Sequence, residues 1–507
     1  MLSKYELIKP DIGSSQGNIT KVYEIVGGKP LRGQVKVSGS KNAALPVLAA
    51  SLLCKEPLQL TNLPKILDVT NMIQCMEALG KRFEFINTNT IKIGNREMDT
   101  LTIPKEAARQ IRASIILLGP LVAQYPKVIL PLPGGCSIGK RPIDLHISAL
   151  NALGVDIVEL PDCLVCSRRY ARLQGNTINF SIKTVTGTEN AMMAAVLAEG
   201  TTIINNAAME PEIVDLANFL NRLGAKIDGA GSDRITISGV DKLNSCGSYS
   251  IMADRIEAGT YLVAPAMTRG SISVKGVNPD YLVAVLSELK CAGAKITCDS
   301  DSIQLDMGEE YGESLNITTK PYPGFPTDLQ SLFLSLTCVL RGNSYLCETL
   351  FEDRFQIVQE LKKMGANISL KDNTAHIKGV SRLRGSQVNA TDLRSGAALV
   401  CTGLAAEGIT QIFAIEHIER GYEDLILKLK ALGANIKLIE NTHVTSTELS
   451  DSHFKEVTSS ETRIQRASLI ETIVTPSITT FGQFKRVPAG EVTELEKQQT
   501  PYLHHIM

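Results

Sequence analysis

Residues 133–146 read PGGCSIGKRPIDLH, and no other segment gathers so much potential chemistry. Cys136 lies between Gly134-Gly135 and Gly139 rather than in an apolar run, and Lys140 and Arg141 follow within five residues. Nearby cations lower a thiol pKa, and glycines let such a loop close over a ligand. The plain alternative is a surface turn with an incidental cysteine. A second segment, VSGSKNAALPVLAASLL, sets Ser38-Gly39-Ser40-Lys41-Asn42 before a helix of small and apolar residues. A lysine and free backbone N–H groups at a helix start suit an anion. GxxxxGK is absent, so this is no Walker loop, and alone it is a weak signal. Single arginines then recur beside turns: Arg112 in IRASI, Arg354 in FEDRF, Arg394 in TDLRS and Arg420 in IERGYE. Taken one at a time, each is expected to be solvated or paired to a carboxylate. Asp328, in GFPTDLQ, follows a proline turn and precedes an apolar helix, where N-cap duty is the plain role.

The elements that must hold these residues show a six-fold pattern: amphipathic helix, glycine, short apolar strand. The glycines are Gly80, Gly154, Gly224, Gly293, Gly365 and Gly433, spaced by about 70 residues. Before them, positions minus 8, minus 7, minus 4 and minus 1 are almost all apolar, as in Met72, Ile73, Met76, Leu79 or Leu425, Ile426, Leu429, Leu432. That spacing marks one helical face, and the glycine supplies the left-handed residue that ends the helix. GAKI, GAKI, GANI and GANI follow at Gly224, Gly293, Gly365 and Gly433, each opening a strand. Only the second copy deviates, with His146 at its first apolar position. Three units per domain is the natural grouping. The expected boundaries are residues 41–252, carrying the cysteine loop, and residues 20–40 with 253–440. Residues 1–19 read as a leader. Residues 441–507, rich in Ser, Thr and Glu, read as an appended tail, mostly disordered, with one short helix in ASLIETIVTPSITTF.

Composition narrows the class. The chain has 507 residues, 44% hydrophobic and 21% charged, as in a globular protein of more than one domain. Lys+Arg 52 against Asp+Glu 53 gives no general pull toward nucleic acid or an acidic membrane. No run of about 18 apolar residues exists and the N-terminus lacks a secretory core, so the expected location is cytoplasmic by elimination. The 11 cysteines read as reduced thiols filling cores, including the lone CLVC of Cys163 and Cys166. No ligand cluster for a metal and no cofactor motif stands out.

Together SGSKNAALP, RASIILLGPLVA, PGGCSIGKRPIDLHI, TVTGTEN, EPEIVDLANFL, DRIEAGTYL, FPTDLQ, ATDLRSG and IERGYEDL resemble the UDP-N-acetylglucosamine 1-carboxyvinyltransferase family, in order from about residue 23 to 438. The resemblance implies an α/β fold: a two-domain inside-out α/β barrel built from six βαβαββ repeats. It implies transfer of the enolpyruvyl group of phosphoenolpyruvate to the 3-hydroxyl of UDP-N-acetylglucosamine, without cofactor or metal, opening peptidoglycan synthesis. Lys41 and Asn42 match phosphoenolpyruvate contacts, joined by Arg141, Arg394 and Arg420. Cys136 matches a loop cysteine that donates a proton, can carry a phosphoenolpyruvate adduct and is expected to be alkylated by fosfomycin-type inhibitors. Arg112, Arg141, Pro142, Ile143, Asp144, Leu145, Lys183, Thr184, Val185, Thr186 and Leu350 match positions around the UDP-sugar. Asp328 matches the residue that binds the sugar and takes the proton of its 3-hydroxyl. Lys41, Cys136, Asp328 and Arg420 make up the catalytic set.

Three other readings compete. Enolpyruvylshikimate-phosphate synthase shares fold and donor, but PGGC with RPIDL argues against it, since that relative lacks the cysteine loop. A paralogue acting on another UDP-sugar stays open. A non-catalytic scaffold whose tail recruits partners would be expected to lose some of Lys41, Cys136, Asp328 and Arg420, and all are present. Two departures from the family pattern are ALGKRFEF, where a small residue usually follows the glycine, and the extra tail.

Overall fold

The computed structural model describes residues 19–95, 103–134, 138–139 and 142–442. The six glycines all adopt left-handed φ values between 81° and 102°. Each follows one of the helices Leu67–Ala78, Asp144–Ala152, Pro211–Arg222, Val283–Cys291, Ile357–Lys363 and Leu425–Ala431. After them run the strands Lys81–Asn87, Val155–Glu159, Lys226–Asp228, Lys295–Asp299, Asn367–Lys371 and Asn435–Thr442. Among the described residues every one of these strands is the edge of its own sheet, so the sequence repeat and the sheet count agree at six.

The third copy shows the βαβαββ unit in full. Thr177–Asn179 leads through helix Val185–Ala195 to Thr201–Asn205, then through helix Pro211–Arg222 to the antiparallel pair Lys226–Asp228 and Arg234–Ser238. The first two strands pair in parallel and the others antiparallel. Five sheets have four strands; that of the second copy has three among the described residues.

The first helix of a unit sits inside, with polar groups confined mostly to its start. Every residue of Arg255–Thr268 and of Gln330–Thr337 is buried. The second helix buries only one stripe, as its period of 3.6 demands. The sheets alternate buried and exposed residues and face outward, as in Arg234–Ser238. Helices inside and sheets outside make the inside-out barrel.

Apolar side chains form two cores. One runs from Ala43 to Ile251; the other joins Tyr23–Val37 to Ile256–Ile436. Both belong to one compact unit, Met1–Thr445. The chain passes between the cores twice, at 37–40 and 251–254, and the two passages pair antiparallel. Ser40 N donates to Met252 O at 2.7 Å, and Asp254 N to Ser38 O at 2.9 Å. A Cβ at Gly39 would lie 1.8 Å from the Asn62 carbonyl oxygen, so only glycine fits this crossing. The crossing exchanges strands. Arg32–Lys36 pairs in parallel with Ser271–Lys275 in the second core, whereas Ser248–Ser250 pairs with Leu58–Thr61 in the first.

The strand Ile19–Val26 lies between Ile409–Phe413 and Asn435–Thr442, with Ile19 opposite Thr442. Strand pairing therefore includes Ile19, in the segment read as leader, and Asn441 and Thr442, in the segment read as tail. Strand pairing needs only backbone groups, so it outlasts the apolar pattern that set those boundaries. The remainder of both, residues 1–18 and 443–507, lies outside the described residues.

Two local surprises have physical causes. Lys81, after Gly80, is buried, and its Nζ donates to Cys54 O at 2.8 Å. Burial pulls its pKa down to about 8. The cysteines do not all fill cores: Cys54, Cys75, Cys166, Cys338 and Cys401 are buried, but Cys291 and Cys298 are exposed. Cys163 and Cys166 share the strand Cys163–Arg168 three positions apart, so their side chains leave opposite faces. Among the described residues no helix is long and apolar enough to cross a membrane.

Candidate active site

Lys41 opens helix Lys41–Ala50 of the first core directly after a crossing segment. The free N–H groups expected there are largely taken. Ser40 Oγ accepts from Ala43 N at 3.3 Å, and Asp254 Oδ2 accepts from Lys41 N at 3.2 Å. The other oxygen of Asp254 caps helix Arg255–Thr268, accepting from Ile256 N at 2.8 Å and Glu257 N at 3.0 Å. One carboxylate thus caps the leading inner helix of both cores, and the anion-binding task falls to side chains.

The Lys41 ammonium reaches Asp68 Oδ2 at 3.2 Å, and Arg420 Nε from the second core reaches Asp68 Oδ1 at 2.9 Å. Asp68 is 3% exposed. It sits in the first turn of helix Leu67–Ala78, where the helix dipole favours a negative charge. Gly421 allows the approach: a Cβ there would come 2.6 Å from Leu393 Cδ2 and 3.3 Å from Lys41 Cδ.

Asp328 forms the second centre. It lies in the 3-10 turn Thr327–Leu329 and does not cap helix Gln330–Thr337, contrary to the plain expectation. Instead Oδ1 accepts from Arg354 at 2.8 Å, and Oδ2 accepts from Arg394 at 3.0 Å and from Asn42 Nδ2 at 3.3 Å. Both arginines are 3% exposed, against 25% for the carboxylate. Burial alone would raise the Asp328 pKa, but Arg394, Arg354 and Lys41 hold it well below the usual carboxylate range. Arg394 is aimed by its helix: Asp392 caps Leu393–Ala405, accepting from Arg394 N at 2.8 Å and Ser395 N at 3.1 Å. Its guanidinium also lies 5.6 Å from the Tyr422 ring centroid. Arg354 lies 5.3 Å from the Phe351 ring centroid. Glu348 shapes the adjoining turn, accepting from Thr327 Oγ1 and Leu350 N at 2.8 Å each.

A third group lies in the first core at helix starts. Arg112 begins the turn Arg112–Leu117, Asp144 begins Asp144–Ala152, and Thr184 caps Val185–Ala195. Asn190 ties these elements together, donating to Ile115 O and to His146 Nδ1 at 2.8 Å each and accepting from Gly119 N at 2.8 Å. His146 Nε2 then carries the ring proton and donates to Thr186 Oγ1 at 3.1 Å. That network explains the deviant histidine of the second repeat. Lys183 Nζ is held by Ala207 O at 2.9 Å. Pro142 and Asp144 are exposed, with Ile143 and Leu145 half-buried. Leu350 is an exposed apolar side chain of the second core.

Cys136, Lys140 and Arg141 lie outside the described residues. Their neighbours are fixed on both sides. A Cβ at Gly134 would lie 1.7 Å from Arg109 O, and Ile138 O accepts from Asp353 N of the second core at 3.3 Å. Gly139 has φ +124° and packs on Glu352.

The structure therefore brings Lys41, Asn42, Asp328, Arg394 and Arg420 together where the cores meet, and of the other first-core candidates it links Thr186 to Asn190 through His146, with Lys183 held apart by Ala207. It adds Arg354 and Asp68, which sequence reasoning left unassigned. Arg354 had been visible only as a lone arginine in FEDRF. Asp68 gave no signal, since an acidic residue in a first helical turn is ordinary.

The sequence profile of EPSP synthase (3-phosphoshikimate 1-carboxyvinyltransferase) matches residues 25–429. The chain is 98% identical over 507 residues, all of both chains, to UDP-N-acetylglucosamine 1-carboxyvinyltransferase 1 of Legionella pneumophila (strain Lens). It is 48% identical over 420 residues, 83% of this chain and 96% of the relative, to UDP-N-acetylglucosamine 1-carboxyvinyltransferase of Coxiella burnetii (strain Dugway 5J108-111). The enolpyruvyl transferase NikO from Streptomyces tendae superimposes with a TM-score of 0.74 at 22% identity, covering 84% of this chain and 100% of that one, a likeness of fold. The chain belongs to the EPSP synthase (3-phosphoshikimate 1-carboxyvinyltransferase) family and, within it, to the UDP-N-acetylglucosamine 1-carboxyvinyltransferases.

Proposed function

We propose that the protein transfers the enolpyruvyl group of phosphoenolpyruvate to the 3-hydroxyl of UDP-N-acetylglucosamine, releasing phosphate, in the cytoplasm, as the first committed step of peptidoglycan synthesis. The observation that carries the reading is the convergence of Lys41, Arg354, Arg394 and Arg420, drawn from both cores, on two carboxylates. A donor bearing phosphate and carboxylate needs that many cations, and guanidinium forks suit both groups.

In this mechanism Lys41, Asn42, Arg141, Arg394 and Arg420 hold phosphoenolpyruvate. Arg112, Arg141, Pro142, Ile143, Asp144, Leu145, the stretch from Lys183 to Thr186, Asp328 and Leu350 hold the nucleotide sugar. Residues 41–252 and residues 20–40 with 253–440 act as the two closing domains. Cys136 protonates C3 of the enol while the sugar 3-oxygen attacks C2 and Asp328 takes the hydroxyl proton. The tetrahedral ketal then returns a C3 proton to the Cys136 thiolate and expels phosphate, which restores the double bond. A carboxylate held as low as Asp328 is always in its accepting form. It becomes the stronger base as substrates draw its arginines away. The Cys136 thiol, flanked by Lys140 and Arg141, is also the group a fosfomycin-type epoxide phosphonate would alkylate.

Phosphate release from phosphoenolpyruvate, measured with UDP-N-acetylglucosamine, with other UDP-sugars and with shikimate 3-phosphate, tests the reading. Turnover with the first and none with the last is expected, and Cys136→Ser should nearly abolish it. Preference for shikimate 3-phosphate, or wild-type rates in Cys136→Ser, would overturn the assignment.

A further inference from the structure

Glu423 of the second core is 7% exposed and accepts hydrogen bonds from the opposite side of the core boundary. Oε1 takes Lys65 N at 3.0 Å and Asn89 Nδ2 at 2.7 Å. Oε2 accepts from Ser38 Oγ, in the first crossing segment. Asn89 also donates to Leu63 O at 3.0 Å, which stiffens the receiving loop. Ser38 is itself held. Lys428 Nζ reaches Ser38 Oγ at 2.7 Å and Glu257 Oε1 at 2.6 Å, and Glu257 Oε2 accepts from Ser38 N at 2.6 Å.

The spacing gives this cluster its meaning. Lys65 lies three residues before Asp68, and Glu423 lies three after Arg420. Two links therefore join the same pair of segments, Arg420 to Asp68 and Glu423 to Lys65 N. Between them, Gly421 passes Lys41, and Tyr422 OH meets Thr260 Oγ1 at 2.8 Å and Arg394 at 3.4 Å. Segment 420–423 is registered against 65–68 by one ionic link and one link made wholly of neutral donors. The ionic link is also where an anionic donor competes for Arg420. The neutral one is free of that competition, and it holds the segment while the cations are engaged.

We propose that Glu423 is a positioning residue for the enolpyruvyl transfer, fixing the register of the Arg420 segment against the first core so that Arg420 meets the anionic donor only when the two cores are docked. The proposal rests on the enolpyruvyl transferase reading. Glu423 touches no reacting atom. It acts on the population of the docked state, and apparent affinity for a ligand of that state falls with the fraction docked. The donor should register the loss more than the sugar, and saturating substrate should restore most of the rate.

The test is steady-state kinetics on the full chain, varying each substrate, with Glu423→Ala, Glu423→Gln and Asn89→Ala. In Glu423→Ala the KM for phosphoenolpyruvate should rise about tenfold, with kcat and the KM for the sugar within about threefold. Glu423→Gln keeps the oxygen that accepts from Lys65 N and Asn89, so it should stay within about threefold of wild type throughout. Asn89→Ala should raise the same KM by a smaller factor, and combining it with Glu423→Ala should add less than its own effect. An unchanged KM for phosphoenolpyruvate, equal damage to both KM values, or Glu423→Gln as defective as Glu423→Ala would overturn the proposal. Should Glu423→Ala fail to fold, Asn89→Ala and Glu423→Gln decide by the same criteria. A wild-type chain that does not turn over these substrates would instead sink the functional reading, so the two failures stay distinct.

Discussion

Asp68 and Asp328 are both carboxylates holding two cations, yet they are built differently. Asp328 draws both hydrogen-bonding arginines, Arg354 and Arg394, from its own core, and the other core adds the Asn42 amide and the unbonded charge of Lys41. Asp68 takes Lys41 from its own core and Arg420 from across the boundary. The Asp328 centre therefore exists within one core, whereas the Asp68 centre is complete only when both cores meet. One centre is held by cations of its own core, and the other is completed only by a cation from across the boundary.

Removing the prepared centre should have the largest effect. Asp328→Ala is expected to lower kcat by about 10²–10⁴, the usual worth of a positioned proton acceptor, in a chain that still folds. Single-turnover phosphate release reads this directly, and a variant within tenfold of wild type would break the contrast. Asp68→Ala should do less to kcat and more to donor use, since it unlinks Lys41 from Arg420 without removing either. A rise of about tenfold in the KM for phosphoenolpyruvate is expected, with sugar binding by calorimetry nearly unchanged. Equal loss of both affinities would show that Asp68 merely supports the fold.

The smallest effect concerns a cation buried beside a backbone carbonyl rather than between carboxylates. The pKa of Lys81 falls from 10.5 to about 8, so the unfolded chain binds this proton more tightly than the folded one does. The cost of burying the charge is full below pH 8 and relaxes as pH rises from 8 toward 10.5, by at most about 3 kcal/mol. Urea midpoints of Lys81→Met should accordingly exceed wild type most at pH 7, and the gap should narrow by pH 9.5. A gap that does not depend on pH would mean that burial does not lower the Lys81 pKa and that the folded chain keeps this proton as tightly as the unfolded one.

Much of this molecule was legible because its signals are local. A glycine closing a 3.6-period stripe fixes a helix end and the strand after it, and the chain repeats that sentence six times. The strings around Lys41, Asn42, Asp328, Arg394 and Arg420 singled these residues out, and all five lie together where the cores meet. What stayed hidden depends on partners far along the chain. Asp68 matters because Arg420, 352 residues later, lands on it. The N–H groups at the start of the Lys41 helix seemed open until Asp254, 213 residues away, filled that of Lys41 itself. Arg354 looked like any exposed arginine because nothing near it in sequence announces Asp328 as its partner.

The strand Ile19–Val26 finds both its neighbours, Ile409–Phe413 and Asn435–Thr442, near the other end of the described chain. During synthesis it emerges among the earliest elements and is among the last to be paired. At about 5–20 residues per second, the ribosome takes roughly 20–80 s to deliver those neighbours. Throughout that interval Val22, Tyr23 and Ile25, buried in the finished fold, face the cell with an open strand edge. The first core, built from residues 43–251, meets no such delay, because its whole sequence has emerged before the second half is made. The order of assembly is thus written into the topology: the strand Ile19–Val26 stays without its partners until residues 409–442 have been made.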